Sequence, residues 1–475
     1  MTDVRKRTLT HPAVGRDYRQ TSFWLASTTD NLTARKPLEG HLSVDVAILG
    51  GGYSGLWTAY YLLRDNPGME VAVLEKDICG FGASGRNGGW CSVRFPVDAD
   101  ALERRVGAER ARRTILAMHD SADEVGRVAA IEGIDAHYRN TGVLSLARGD
   151  AQLPAIHEVF NTYERLGLGS ENRLLSASEA YELIHATNVS GALLSSRGAS
   201  VHPGNLVRGL ARAIEKRGGV IYEGSQVVKI TSGERASLAT ASGSLVARRA
   251  IVAAGEAYLT QLSPFKRGLL PMSSMIVVTE PLTTAQWEEI GWQGGQSVGS
   301  QSNTKNYLTR TLDGRILFGS RGAPYHFGSN VPDSSLADER TYAKMRCTLR
   351  EWFPVLEQVR FTHAWGGYLG VTRDWMPTVN YDAPSKLARL YGYTGRGVST
   401  TNLAARLVAG LISGRASGLE DLPMHRPDSP MWELEPLRWA AVRYVQNAFA
   451  RIDEAEIAQR RPPWDTAIAK YLAGQ

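Results

Sequence analysis

Val44-Asp45-Val46-Ala47-Ile48-Leu49-Gly50-Gly51-Gly52-Tyr53-Ser54-Gly55, with Glu75 beyond it, decides the fold of this chain. The run reads as a buried strand, a glycine turn and a helix start. A second strand, Glu70-Val71-Ala72-Val73-Leu74-Glu75, ends in an acid. Each part has a task if a dinucleotide lies there. Gly50 permits the tight turn, Gly52 lets the backbone approach a pyrophosphate, and Gly55 lets helix and strand pack closely. Amides at the helix start face the phosphates, helped by the helix dipole. Glu75 is placed to accept hydrogen bonds from ribose hydroxyls. A lone glycine triplet is weak, but two strands and the acid at the right distance predict a dinucleotide site. The motif leaves open which dinucleotide.

The chain has 475 residues, enough for two or more domains. Hydrophobic residues at 43% and charged residues at 21% are ordinary for a globular protein. The 48 glycines suit tight turns and close backbone–ligand contact. A net charge of +6 is small for this length and is no nucleic-acid signature. Cys79, Cys91 and Cys347 are too few and too scattered for a disulfide framework or a metal cluster, so no metal site is expected. The basic start, Met1–Arg7, has no apolar core behind it and is not a secretory signal. No run approaches the ~18 apolar residues that span a membrane. These features together predict a cytoplasmic protein.

Farther along, Leu56, Ala59, Tyr60 and Leu63 recur at helical spacing. The segment Gly80–Gly89 is too rich in glycine for a helix or strand interior. It reads as a loop, or as a backbone surface against a flat ligand. Helix is expected over 100–135, 152–167, 176–185, 205–217 and 399–413, and strand over 143–146, 220–222, 227–230 and 250–255. From Met275 the pattern changes. Strands at 275–279, 307–311 and 316–319, with an Asp313-Gly314 hairpin turn, predict an antiparallel-sheet domain inserted into a parallel one. Apolar points from Leu434 to Phe449 predict an amphipathic helix within 431–460.

The segments Gly50–Leu56, Gly82–Gly89, His202–Leu206, Ala253–Gly255, Asp313–Gly319, Trp365–Gly370 and Gly392–Val398 resemble, in order and spacing, one family. It is that of the FAD-dependent amine and amino-acid oxidoreductases of the D-amino-acid oxidase class. Phe23-Trp24 and the GASGRNGG loop at 82–89 look most like its γ-glutamylputrescine oxidase branch. The resemblance implies an α/β chain, α+β overall, with a Rossmann-type FAD-binding domain, an inserted antiparallel-sheet substrate domain and a C-terminal helical tail. Segments 44–95, 196–268 and 361–415 would form the FAD domain, and 96–195 and 269–360 the substrate domain. Residues 1–43 would be an N-terminal extension and 416–475 the tail. Gly50, Gly52, Tyr53, Ser54 and Gly55 would hold the pyrophosphate, with Glu75 and Lys76 at the ribose and Val227 at the adenine. Ala83, Ser84, Arg86, Asn87, Gly88 and Gly89 would line the isoalloxazine, with Gly255 nearby. Gly395, Arg396, Gly397, Val398 and Ser399 would meet its pyrimidine edge. Charge builds there on reduction, and a helix N-terminus at Gly397 supplies donors.

The implied reaction is oxidation of a small-molecule amine by hydride transfer to flavin N5. The imine product hydrolyses to a carbonyl compound, and O2 reoxidises the flavin with release of H2O2. The protein orients and desolvates the substrate. Leu369 stands where glycine oxidase carries a carboxylate-binding arginine, which favours amines over free amino acids. No lysine lies near Arg315–Phe318, where sarcosine oxidases place one, and Lys305 is the nearest alternative. Tyr307, His363 and Tyr368 complete the candidate catalytic set, and Arg310 is a second candidate for the wall. The FAD is expected to be non-covalent, because the loop at 80–90 has no histidine and 361–400 has no cysteine. An amino-acid oxidase or N-demethylase, a dehydrogenase using a quinone or other carrier, a non-catalytic flavoprotein and an NAD-only dehydrogenase are the competing readings. The tail is expected to cap the substrate domain, lie on a membrane surface or close a homo-oligomer.

Overall fold

The computed structural model describes residues 16–321, 323–332 and 338–474. Met1–Arg7 lies outside the described residues. The strand Gly40–Leu49 pairs in parallel with Val71–Leu74 on one side and with Gly243–Ala253 on the other. Parallel strands covered on both faces read as continuous apolar runs, and this one does over its buried end, Val46–Leu49, after an exposed, mixed first half. Val46 and Ile48 enter one hydrophobic cluster, while Ala47 and Leu49 enter another on the opposite face. Val220–Tyr222 extends the sheet beyond Val71–Leu74, and Leu387–Tyr391 pairs in parallel with Ile251–Ala253. Ser237–Ala239 and Gly243–Ala253 pair as an antiparallel hairpin.

The helix Tyr53–Asp65 follows the glycine turn and packs against Gly397–Ser413 and Pro203–Lys216. His202 starts the last of these: its ring accepts from the Asn205 amide at 3.1 Å and Pro203 occupies the first turn.

A second eight-stranded sheet runs in the order Phe361–Val371, Leu270–Thr279, Ile316–Ser320, Asn306–Arg310, Ser297–Ser300, Val143–Arg148, Val189–Ser195 and Asn172–Ser176. It is antiparallel except where Ser297–Ser300 meets Val143–Arg148. The Asp313-Gly314 turn is as expected, with Gly314 at φ +78°.

Several boundaries differ from the sequence reading. Phe361–Val371, grouped above with the FAD-binding segments, pairs along its length with Leu270–Thr279 in the second sheet. Its partner strand is itself β-rich, and ladder formation outweighs chain proximity to the 372–415 region. The helix expected over 176–185 is confined to Ala177–Tyr181, opened by a Ser176–Glu179 capping box. The strand at 227–230 shortens to Lys229–Thr231. In the tail, helix begins only at Leu437, after Pro436. Among the described residues, no helix is long and apolar enough to cross a membrane.

Candidate active site

One cavity of about 2580 Å³ lies between the two sheets. Drug-sized ligands fill pockets of roughly 300–1,000 Å³, so this volume accommodates a dinucleotide and a substrate together. All of the residues expected around the cofactor line it except Gly55, Gly89 and Ser399. Gly55 lies beneath the loop, where a Cβ would stand 2.0 Å from the Gly50 carbonyl oxygen. Gly89 has φ +80° and abuts the Val201 carbonyl. Ser399 is buried and donates to the Ser92 carbonyl.

The glycine loop fits a pyrophosphate. Gly50 sits at φ +106°, and a Cβ there would meet the Ala254 carbonyl oxygen at 2.7 Å. Gly52 is the N-cap of Tyr53–Asp65 and has no side chain to occupy the helix end. Ser84 Oγ accepts from the Tyr53 amide at 2.8 Å, tying the second glycine segment to the first. Glu75 accepts from the amides of Gly51 and Asp77 at 2.7 and 2.9 Å. Burial nevertheless pushes its carboxyl up to about 7, the hydrogen bonds opposing the rise. Replacing it removes an acceptor from the cavity and leaves two amides without their partner. Glu75→Ala is therefore expected to weaken FAD binding at least about tenfold, or ~1.4 kcal/mol. Equilibrium dialysis of the holoprotein against flavin-free buffer measures this.

At the other end, Gly397–Ser413 has Arg396 as its N-cap residue, with no side-chain capping bond. The Arg396 guanidinium turns to Asp98 at 2.8 Å and to the Phe95 carbonyl. The helix end is thus left open to the cavity.

Glu256 was not anticipated, although it directly follows the strand-ending Gly255. It stands at φ +47°. Its carboxylate accepts from Gly370 and Gly392 at 3.0 and 2.9 Å, joining the second sheet to the turn before Gly395. Burial raises its carboxyl from 4.5 to about 7 against those hydrogen bonds. The folded state therefore holds this proton more tightly than the unfolded chain, and its contribution to stability falls as pH rises from 4.5 to about 7. The excess stability of wild type over Glu256→Gln, read by urea unfolding of the holoproteins, is expected to shrink by about 3 kcal/mol across that window. A constant difference would contradict this assignment.

Of the candidate catalytic residues, Lys305, Tyr307 and Tyr368 line the cavity and His363 does not. His363 stands near the outer end of its strand, edge-on to Phe23 and bonded to Thr362. Five positions separate it from Tyr368, roughly 16 Å at ~3.3 Å per residue. Tyr307 runs across Gly88 and Gly319, where added Cβ atoms would meet its ring at 2.2 and 2.0 Å, and its hydroxyl meets Ser274 Oγ at 3.1 Å. The Tyr368 hydroxyl donates to the Pro332 carbonyl at 2.9 Å. Arg310 faces away, over the Trp287 ring and bonded to the Trp292 carbonyl.

An arginine that does line the wall is Arg321, just beyond the strand Ile316–Ser320. It donates to the Thr394 carbonyl at 2.9 Å. A Cβ on Gly395 would lie 2.4 Å from its guanidinium and 3.3 Å from Leu369 Cδ2. Arg321 and Leu369 thus reach the same place beside Gly395. Arg94 and Lys305 line the same region. Among the described residues, neither they nor Arg321 form an ion pair with an acid. Burial lowers the Arg321 guanidinium to about 10, with Arg396 adding to it. Burial also lowers the Lys305 ammonium, Arg396, Arg321 and Arg94 assisting and Asp98 opposing. At Asp98 burial acts to raise the carboxyl, but Arg396, Lys305 and Arg94 outweigh it and hold the group near about 2.

The sequence pattern of the DAO family, FAD dependent oxidoreductase, matches residues 45–411. The chain belongs to this FAD-dependent oxidoreductase family. FAD is the cofactor that membership implies, and the glycine cradle, half-buried Glu75 and open helix end at Gly397 fit it. The chain is 32% identical over 83% of its length to gamma-glutamylputrescine oxidoreductase of Escherichia coli (strain K12), covering 90% of that protein. It is 25% identical to sarcosine oxidase subunit beta of Rhizobium meliloti, over 78% of this chain and 84% of that one. Among solved structures it superposes on glycine oxidase from Geobacillus kaustophilus with a TM-score of 0.66 and 21% identity, covering 81% of this chain and 99% of that one. The last likeness establishes the shared fold. The chain is an FAD-dependent oxidoreductase of the amine and amino-acid class.

Proposed function

We propose that this enzyme oxidises the C–N bond of a small amine that also carries an acid group. The observation that carries this reading is the cluster of Arg94, Lys305 and Arg321 on the cavity wall, with Asp98 already paired to Arg396. Several cations in one enclosed region are costly unless an anion joins them. A substrate carboxylate supplies it. The relatives are named for γ-glutamylputrescine and sarcosine, each of which combines an amine with a carboxylate.

When bound, FAD supplies the two-electron oxidant. The chain's own residues hold the acid end at Arg321 and Lys305, present the amine between Tyr307 and Tyr368, and exclude water. We place the pyrophosphate at Gly50–Gly55 and the flavin ring between Ala83–Gly88 and Gly395–Val398. Non-covalent attachment is part of the reading, supported by Cys79 and Cys91 being buried off the cavity wall. So are a cytoplasmic location and reoxidation by O2 with release of H2O2. The proposed domain division follows the two sheets, with Phe361–Val371 assigned to the substrate side.

Anaerobic mixing tests the reading. Acid-bearing amines are expected to bleach the visible flavin band, while amines of the same length without the acid bleach it far more slowly. Equal rates for both, or no bleaching with any amine, would overturn it. Peroxide assay of the productive amine in air, followed by an artificial acceptor, then separates oxidase from dehydrogenase.

A further inference from the structure

The C-terminal segment lies beyond the family match at 45–411, yet it reaches the substrate cavity. Its helix, Leu437–Ile457, presents Val442, Val445, Phe449 and Asp453 to the cavity. Trp432, just before the helix, donates its indole N–H to the Val371 carbonyl at 2.8 Å. Gln446 bonds the Ala323 carbonyl and the Tyr325 amide at 3.0 and 3.1 Å, shortly after Arg321.

Asp453 makes the most specific of these contacts. It sits within the helix, so it caps neither end. It is 8% exposed, and among the described residues it has no cationic partner. One carboxylate oxygen accepts from the Asn303 amide and Asn303 Nδ2 at 2.7 and 2.9 Å. The other accepts from the Thr304 amide at 2.7 Å. Ser302 Oγ donates to the Thr304 carbonyl at 2.7 Å and meets Ser300 Oγ at 2.7 Å, closing the loop on itself. A buried carboxylate satisfied by backbone amides rather than by a cation organises the chain that carries those amides. The next residue is Lys305.

We propose that Asp453 is a positioning residue for Lys305, and that the C-terminal helix is thereby a working part of the substrate site. This rests on the acid-bearing-amine reading, in which Lys305 holds the substrate's anionic end. Loosening the 300–305 loop leaves the ammonium in place on average but no longer aimed. The effect is then on substrate capture rather than on chemistry.

Two measurements on the flavin-loaded full chain test this. The first is hydrogen exchange followed by mass spectrometry on the peptide spanning 300–307. Asp453→Asn, which keeps the size and removes the charge, is expected to speed exchange there about tenfold or more with little change elsewhere. Asn303→Ala, which removes only one of the three bonds, is expected to do so more weakly, and it serves if Asp453→Asn fails to fold. The second is a kinetic cycle with Lys305→Met. Asp453→Asn is expected to raise KM for the acid-bearing amine about tenfold with kcat within about threefold, and to add almost nothing once Lys305 is gone. Additive effects, or unchanged exchange at 300–307 in both variants, overturn the positioning role while leaving the substrate reading intact. A silent Lys305→Met overturns both.

Discussion

Gly55→Ala is expected to give protein with less than about a tenth of the wild-type flavin content and a lowered melting temperature. The added Cβ stands 2.0 Å from the Gly50 carbonyl oxygen and 3.0 Å from Ile48 Cγ2. Neither neighbour gives way easily. The Gly50 backbone is held by its own amide, which donates to the Leu74 carbonyl at 2.9 Å. Ile48 lies in the core at zero exposure. Relief must come from the helix Tyr53–Asp65 lifting off its strand, and that motion carries away the first-turn amides proposed to hold the pyrophosphate. Overpacking of this kind costs about 1–3 kcal/mol or more, a large part of a typical margin of ~5–15 kcal/mol. Gly68→Ala is the control. Gly68 stands at φ +86°, whereas Gly55 has an ordinary helical backbone, and no atom lies within 4 Å of the methyl added at Gly68. It should cost only the backbone strain, about 1 kcal/mol, and leave the flavin bound. The ratio of visible to ultraviolet absorbance of the two purified variants decides the matter. A fully yellow Gly55→Ala would show that the close approach at this turn is not needed for the cofactor.

The contrast also shows what was legible in the chain. The glycine turn and the elements around it could be read because their constraints are local: a left-handed Gly50, a helix start at Tyr53 and an acid at the end of the next strand all lie within a few dozen residues. The two-sheet architecture was equally accessible, since Val46–Leu49, Val71–Leu74 and Ala250–Ala253 are continuous apolar runs and the Asp313-Gly314 hairpin announces itself. The substrate end was not. Glu256 acts by reaching Gly370 and Gly392, and Asp453 by reaching Asn303 and Thr304. No periodicity encodes such pairings, because they are set by which strands and helices meet across the cavity. His363 and Arg310 failed for the same reason: each belongs to the right strand, but at a position whose side chain leaves the cavity. Arg321 had one faint signal, an arginine directly after the buried strand Ile316–Ser320, where a charge must find water, a partner or a ligand.

Arg321→Leu is expected to lower kcat/KM for acid-bearing amines by about a hundredfold or more, ~2.7 kcal/mol, mostly through KM. The guanidinium faces an enclosed cavity, where attraction to a carboxylate is screened far less than in water. Its one hydrogen bond among the described residues, to the Thr394 carbonyl, leaves other N–H groups for a ligand. Although burial brings the group down to about 10, it remains charged throughout neutral pH, so the loss should be the same at pH 7 and pH 8. Amines without an acid group should be nearly unaffected. A structural role for Arg321 would instead depress both substrate classes together. A relocation test separates the two more sharply. Leu369 Cδ2 and the Arg321 guanidinium approach the same point beside Gly395 from neighbouring parts of the second sheet. Adding Leu369→Arg to Arg321→Leu exchanges the two side chains and keeps one arginine at that point. If the site reads an anion, the double variant recovers at least about tenfold of the lost kcat/KM, and only for acid-bearing amines. If recovery is absent, or equal for both classes, then the position of positive charge beside Gly395 does not set the substrate preference.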